Sequence, residues 1–256
     1  MALEPWRIGK VINIENQTRT TRRFFIQVPE LDTFDFKPGQ FVTLDLPVHE
    51  KPNKRWRSYS IASWPDGTNV FELCIVLLPD GAGTNYLFNE VAEGTEISFR
   101  GPAGIFTLPS TIEKDIILVC TGTGIAPFRS MIHHIIRHNI PHQKVHLIFG
   151  CRKFGDALYA EELKALMRTD ADFVYHTAYS REEPGNYDHL VRIGYVHAVY
   201  EEICKNNMQP GLDGGELTIK PASFYLCGWR GMVDEAKERI LNMGYDKKSV
   251  HIEIYG

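Results

Sequence analysis

The stretch from Cys120 to Met131, CTGTGIAPFRSM, constrains this chain more than any other. It follows an apolar run, Asp115-Ile116-Ile117-Leu118-Val119, and precedes an amphipathic one, Phe128-Arg129-Ser130-Met131-Ile132. Strand, glycine turn and helix therefore succeed one another within about a dozen residues. Gly122 and Gly124 let the backbone approach a ligand more closely than a residue with a Cβ could. Pro127 stands near the start of the helix, where its missing N–H costs nothing. The unpaired amides of that first turn form a seat for a phosphate or pyrophosphate. Gly-x-Gly alone would equally suit an ordinary strand-to-helix connection; the whole string in this setting is far more specific.

The 256 residues suffice for two domains, each with its own core. A net charge of −4 gives no reason to expect nucleic acid or an anionic membrane as partner. No apolar stretch approaches the ~20 residues of a membrane span, and Met1-Ala2-Leu3-Glu4-Pro5 turns polar too soon for a leader. Five cysteines, odd in number and scattered, argue against a disulfide framework and for a reducing, cytoplasmic setting. Without a C-x₂-C or C-x₄-C spacing they cannot hold an iron–sulfur cluster alone. His133, His134, His138, His142 and His146 resemble a metal cluster, but Pro141 ends the helix before His142, so no metal is expected. The sequence leaves the oligomeric state open, with a monomer as the default.

Up to about residue 108 the chain shows strand periodicity. Phe24, Ile26 and Val28 fall on one face of their run, as do Val42, Leu44 and Leu46, while Ile97 and Phe99 alternate with polar neighbours. Pro38-Gly39, Pro65-Asp66-Gly67, Pro79-Asp80-Gly81 and Gly101-Pro102 separate the runs, which suggests a small antiparallel β-barrel. Within it, Arg57-Ser58-Tyr59-Ser60 sets an arginine, an aromatic ring and hydroxyls on one strand. These can neutralise a phosphate, stack on a flat heterocycle and hydrogen-bond its edge. Gly81-Ala82-Gly83-Thr84-Asn85-Tyr86-Leu87 could bring amides and the Thr84 hydroxyl to a second phosphate.

Residues 109–114 read as a linker, dividing the chain into domains at 1–110 and 111–256. Beyond it, apolar strands at 116–119, 145–149, 173–178, 224–227 and 250–254 alternate with helical patterns at 127–138, 158–167, 195–204 and 232–243. That order implies a Rossmann-like α/β domain with a five-stranded parallel sheet, its nucleotide at the carboxyl ends of the strands. Phe149-Gly150-Cys151-Arg152 carries no ribose-binding acid after the second strand. Ser180-Arg181, after the third, offers a hydroxyl and a guanidinium suited to a 2′-phosphate.

Taken together these residues resemble the ferredoxin–NADP reductase family. The resemblance runs in order through RSYSIAS at 57–63, GAGTNYL at 81–87, GPAG at 101–104, TGTGIAPFRSM at 121–131, LYAEEL at 158–163, SRE at 180–182, CGWRGM at 227–232 and EIY at 253–255. It implies a flavin-binding barrel followed by a pyridine-nucleotide domain, with the flavin at their interface. On this resemblance Arg57 and Thr84 hold the flavin phosphates, and Ser58, Cys74, Ile75, Val76, Ala82 and Gly83 are further flavin-binding residues. Tyr59 and Tyr255 stack on the isoalloxazine, Ser60 lies near flavin N5, and Thr121 also reaches the flavin. Thr121, Gly122, Thr123 and Gly124 face the NADP pyrophosphate and nicotinamide ribose. Arg152, Ser180, Arg181 and Tyr187 meet the far end of the nucleotide, and Cys227, Gly228 and Trp229 line the nicotinamide pocket. Glu253 relays protons through Ser60. Ser60, Cys227, Glu253 and Tyr255 thus form the catalytic set, with Tyr255 as a gate although Gly256 follows it.

Departures from the family matter. Cys74-Ile75-Val76 lacks the basic residue of plant-type members, and no tyrosine near residues 77–79 can stack on the FAD adenine. FAD is still expected over FMN, with its adenine held differently. The loop after Arg181 lacks the family's lysine, leaving Tyr187 and Arg192 to replace its contacts. The resemblance implies electron exchange between NADP(H) and an acidic ferredoxin or flavodoxin. Arg19, Arg22 and Arg23, with Lys51, Lys54 and Arg55, are the basic clusters available for docking it. Two alternatives remain: an NADH-dependent reductase component supplying an oxygenase or other redox protein, and a non-catalytic flavoprotein electron-transfer subunit.

Overall fold

The computed structural model describes residues 4–210 and 217–255. Residues 1–3, read above for a leader, and Gly256 lie outside the described residues. Two compact units form: residues 1–108 with 126–139, and residues 109–125 with 140–256.

In the first unit β1 (Trp6–Asn16), β2 (Thr21–Gln27), β3 (Phe41–Asp45), β4 (Trp56–Ser60), β5 (Val70–Val76) and β6 (Glu96–Ala103) form one antiparallel sheet. Its order is β4-β3-β6-β1-β2-β5, and a bridge from Ile61 to Leu73 joins the two ends, closing the barrel. Alternation puts Phe24, Ile26, Val42, Leu44, Phe71, Leu73, Ile97 and Phe99 inside, all below 5% exposed, so each run has the face its periodicity implied. Helix α1 (Ala82–Asn89) follows β5, and its Leu87 joins this core. Helix α2 (Ile125–Arg137) adds Met131, whose terminal methyl lies within 2.5 Å of where a Cβ on Gly39 would fall, and Phe128, 5.9 Å from Phe106.

The second unit contains β7 (Asp115–Thr121), β8 (Val145–Cys151), β9 (Phe173–Tyr179), β10 (Val191–Ile193), β11 (Met208–Pro210), β12 (Leu217–Ile219), β13 (Ala222–Trp229) and β14 (Val250–Tyr255). Helices α3 (Ala160–Met167), α4 (Val196–Asn206) and α5 (Arg230–Asn242) connect them. All five expected strands join a parallel sheet, ordered β10-β9-β8-β7-β13-β14. The sixth member, β10, pairs with β9 at the edge over three residues, too short to announce itself by apolar content. β11 and β12 make a separate antiparallel pair. Ile117, Val119, Ile148, Phe224 and Leu226 pack against Val199, Tyr200, Val233, Ala236 and Ile240 of α4 and α5.

Two histidines sit side by side on this sheet, His146 Nδ1 lying 3.2 Å from His176 Nε2. Burial depresses both, His146 to about 4 against the pull of Asp115, and His176 to about 3 with help from His146. The unfolded chain takes up these protons near pH 6.5, so the folded state gains stability above that pH and loses it as pH falls toward 4. Between pH 7 and 5 the pair is expected to cost about 4 kcal/mol of stability. Urea denaturation at both pH values, against a His146→Phe/His176→Leu double variant, checks this. An equal loss in the variant would show that the pair is not responsible.

Candidate cofactor and nucleotide sites

The barrel strand β4 carries the first group. Cross-strand pairing sets Arg57 opposite Leu44 and Tyr59 opposite Val42, so both side chains leave on the core side. Tyr59 packs on the core, and burial raises its phenol to about 12 against the opposing pull of Arg57, so the ring stays neutral. Ser58 shares a 3.0 Å hydrogen bond with Thr43 across the strand, and Ser60, buried, closes β4. The Arg57 guanidinium donates to the carbonyls of Lys54 and Trp56 at 2.9 and 2.8 Å. That anchorage lays the side chain across Gly83, where a Cβ would fall 3.0 Å from Arg57 Cγ and 3.1 Å from Nε. Helix α1 has Gly81 as its N-cap and no side-chain cap. The amides of Ala82, Gly83 and Thr84 therefore have no partners within the helix. A guanidinium over uncapped amides is a fitting cradle for a phosphate.

The Thr84 hydroxyl is bonded within its own loop. It accepts from the Leu78 amide and lies 3.0 Å from the Gly81 carbonyl, to which it donates. It staples the loop, while the Thr84 amide lies in the uncapped first turn of α1. Cys74 and Ile75 are buried on β5, paired with Arg23 and Arg22 of β2, while Val76 is half-buried at the strand end.

In the α/β unit the chain order reverses between β7 and β13, the switch point where open parallel sheets bind ligands. The glycine turn sits there. Gly122 adopts a left-handed φ of +55°, and a Cβ on it would meet nothing within 4 Å. Gly124 is the reverse: a Cβ would lie 2.4 Å from the Cys227 carbonyl oxygen. Gly228, with φ +142°, leaves only 2.5 Å between a Cβ and Thr121 Oγ1. Thr121 Oγ1 is itself buried without a hydrogen-bond partner among the described residues. An orphaned hydroxyl beside open space above a glycine fits a bound nucleotide.

Further along the carboxyl edge, the Ser180 amide donates to the Cys151 carbonyl at 3.0 Å and the Arg181 amide to the Arg152 carbonyl at 2.9 Å. This ladder sets Arg152 and Arg181, remote in sequence, side by side, both exposed. The Ser180 hydroxyl is 3.4 Å from the Cys151 carbonyl. Phe154, not among the residues expected at the site, lies 4.4 Å from Tyr179 and 5.4 Å from Tyr187. Its amide donates to Glu182. A lone aromatic in a charged turn at a strand end was the signal available. Arg192 is ion-paired with Glu202, both side chains being exposed.

Pairing of β13 with β14 aligns Cys227 with Glu253 and Trp229 with Tyr255. Cys227 is fully buried; burial, then Glu253 and Cys120, hold its thiol well above the ordinary range, so it is a neutral packed group. Glu253 and Tyr255 are half-buried and Trp229 is 49% exposed. Of the basic clusters, Arg19, Lys51 and Lys54 are exposed, while Arg22, Arg23 and Arg55 are half-buried and bonded within the fold. Arg23 binds Glu15 and Glu72, Arg55 binds Asp45, and Arg22 donates to Asn16 and the Phe88 carbonyl. No group of metal-ligating side chains occurs among the described residues, and no helix is long and apolar enough to cross a membrane.

A phosphate cradle on an antiparallel barrel and a dinucleotide turn at the switch of a parallel sheet define a flavin-dependent pyridine-nucleotide oxidoreductase. Residues 9–108 match the oxidoreductase FAD-binding domain and residues 118–238 the oxidoreductase NAD-binding domain. The chain is 34% identical over 223 residues to ferredoxin–NADP reductase B of Sorangium cellulosum, covering 87% of this chain and 86% of that one. It belongs to the ferredoxin–NADP reductase family. The anthranilate 1,2-dioxygenase electron transfer component of Acinetobacter baylyi is 27% identical over 237 residues, and there the match spans 91% of this chain but 63% of the relative. A ferredoxin NADP⁺ reductase from Neisseria gonorrhoeae shares the fold, with a TM-score of 0.77 at 24% identity over 97% of this chain and 98% of that one. FAD is the cofactor and a nicotinamide dinucleotide the co-substrate.

Proposed function

We propose that the enzyme exchanges electrons between NADP(H) and an acidic one-electron carrier of the ferredoxin or flavodoxin kind. Bound FAD supplies the conversion between two-electron and one-electron transfer. In this reading Arg57 and the amides of Ala82, Gly83 and Thr84 hold its phosphates. Tyr59 offers a neutral stacking face, and main chain at Cys74, Ile75 and Val76 completes the barrel's share. Thr121, Gly122, Thr123 and Gly124 seat the nucleotide pyrophosphate, while Cys227, Gly228 and Trp229 position the nicotinamide. Ser60 and Glu253 handle the proton, and Tyr255 is the aromatic that yields to the nicotinamide. Arg152, Ser180, Arg181 and Tyr187, joined by Phe154, take the 2′-phosphate and adenosine. With so many arginines paired internally, Arg19, Lys51 and Lys54 are what remains of the expected clusters for steering an acidic carrier.

The observation that carries NADP(H) over NAD(H) is the pairing of Arg181 with Arg152 where a ribose-binding carboxylate would otherwise stand. Both guanidiniums are exposed, so Arg181→Ala is expected to lower kcat/KM for NADPH by about tenfold, the low end for a charge-assisted contact, and to spare NADH. Steady-state kinetics with both nucleotides decides the matter. A preference for NADH untouched by the substitution would favour the second reading, an NADH-dependent reductase component.

A further inference from the structure

Glu72 stands in the middle of the apolar strand Val70–Val76, is 2% exposed, and is paired from two directions. Arg23 donates to both carboxylate oxygens at 2.7 and 2.8 Å, and Arg129 donates to Oε2 at 3.0 Å. The same Arg129 nitrogen donates to the Ala62 carbonyl at 2.8 Å. Arg23 continues the chain to Glu15 at 2.7 Å, so two carboxylates face two guanidiniums. Main chain repeats the link: the Ala62 amide donates to the Glu72 carbonyl at 2.8 Å, and the Glu72 amide donates to Ser63 Oγ at 3.0 Å. Trp64 closes the assembly. It stacks on His133 at 3.9 Å, with the Arg129 and Arg137 guanidiniums 5.2 and 4.3 Å from its ring centroid.

The contacts of Arg129 with Ala62, of Glu72 with Ala62 and Ser63, and of His133, Arg129 and Arg137 with Trp64 converge on residues 61–64, the segment leaving β4 directly after Ser60. The Ile61 amide is fixed as well, donating to the Gln40 carbonyl at 3.0 Å. A buried ion pair is poor evidence for stability, because desolvation offsets most of its attraction. Its better use is to hold one arrangement of the chain against near alternatives. Arg129 is 3% exposed and lies in helix α2, in the first turns after the glycine turn. The pair thus fastens that helix to the strand end carrying Tyr59 and Ser60.

We propose that Arg129 and Glu72 are positioning residues for hydride exchange: they fix the backbone behind Ser60, and so act on the rate of the reductive step rather than on cofactor or nucleotide affinity. This rests on the functional reading above. Neither residue belongs to the phosphate cradle of Arg57 and α1, so the charge-assisted part of flavin binding is left in place and the main effect falls on the rate. Misplacement of a reacting group by about an ångström costs about a hundredfold in rate.

The test is rapid-mixing reduction of the FAD-loaded protein by NADPH. In Arg129→Met, bound FAD and the nucleotide concentration at half-maximal rate should stay within twofold of the parent, while the limiting rate falls by about 10- to 100-fold. Arg129→Lys keeps a cation beside Glu72 and should recover most of that loss, which a general packing defect would not produce. Should Arg129→Met yield no folded flavoprotein, Ser63→Ala carries the test, since it deletes only the hydroxyl that receives the Glu72 amide. A severalfold drop in limiting rate at unchanged half-saturation supports the proposal. Parental rates in whichever variant folds would overturn it, as would a loss expressed only in flavin content. A parent protein whose flavin neither NADPH nor NADH reduces would instead overturn the functional reading.

Discussion

Gly124→Ala is expected to cut flavin reduction by NADPH about a hundredfold while leaving FAD content unchanged. The methyl group would lie 2.4 Å from the Cys227 carbonyl oxygen, 2.7 Å from its carbon and 3.0 Å from Gly228 Cα. These neighbours are backbone within paired strands, so nothing can swing aside as a flexible side chain would. Overpacking of this kind costs about 1–3 kcal/mol. Relief must come from shifting the turn or the end of β13, and either moves the amides and hydroxyls proposed to seat the nucleotide. A shift near an ångström suffices for the rate loss. Calorimetric titration with NADP⁺ should show weakened binding in parallel with the kinetics. A variant that binds and reduces normally would mean that β7 and β13 can separate without consequence, and the assignment of the turn would fail.

The second large effect concerns the other cradle. Arg57→Ala should weaken FAD binding about a hundredfold, toward the upper end for a charge-assisted hydrogen bond. Two losses combine. The cation over the N-terminus of α1 disappears, and with it the donors that tie the carbonyls of Lys54 and Trp56 to the same side chain. Arg57→Lys keeps the charge without the fork and should fall between. Fluorescence titration of the deflavinated protein with FAD measures both. Parental affinity in Arg57→Ala would place the flavin phosphates elsewhere on the barrel.

What could be read in the sequence, and what could not, follows the range of the interactions involved. The glycine turn and the strands around it were legible because strand, turn and helix write themselves into adjacent residues. The barrel strands were legible for the same reason, with Phe24, Ile26 and Val28 alternating inward as their spacing requires. Helix α1 was hidden in Gly81-Ala82-Gly83-Thr84-Asn85, whose composition reads as loop; its formation depends on Thr84 and Asn85 tying back residues 78–81. That Arg23 would be engaged inside the fold could not be read from its neighbours, because its partner Glu72 lies 49 residues away in the chain. A carboxylate inside Val70-Phe71-Glu72-Leu73-Cys74 was nonetheless a usable sign, since a buried charge requires a partner. Arg129 lies within the glycine-turn motif, yet its partners could not be read there, because only the folded chain brings it to Glu72 and Ala62.

The polypeptide enters the barrel unit twice, through residues 1–108 and again through 126–139. No single proteolytic nick can therefore liberate that half intact. A fragment ending at residue 108 would forfeit Met131 over Gly39, Phe128 beside Phe106, and the guanidinium that reaches Ala62. Anyone wishing to study the halves in isolation, or to graft one onto a foreign companion, would have to carry the intervening helix along, for instance by circular permutation.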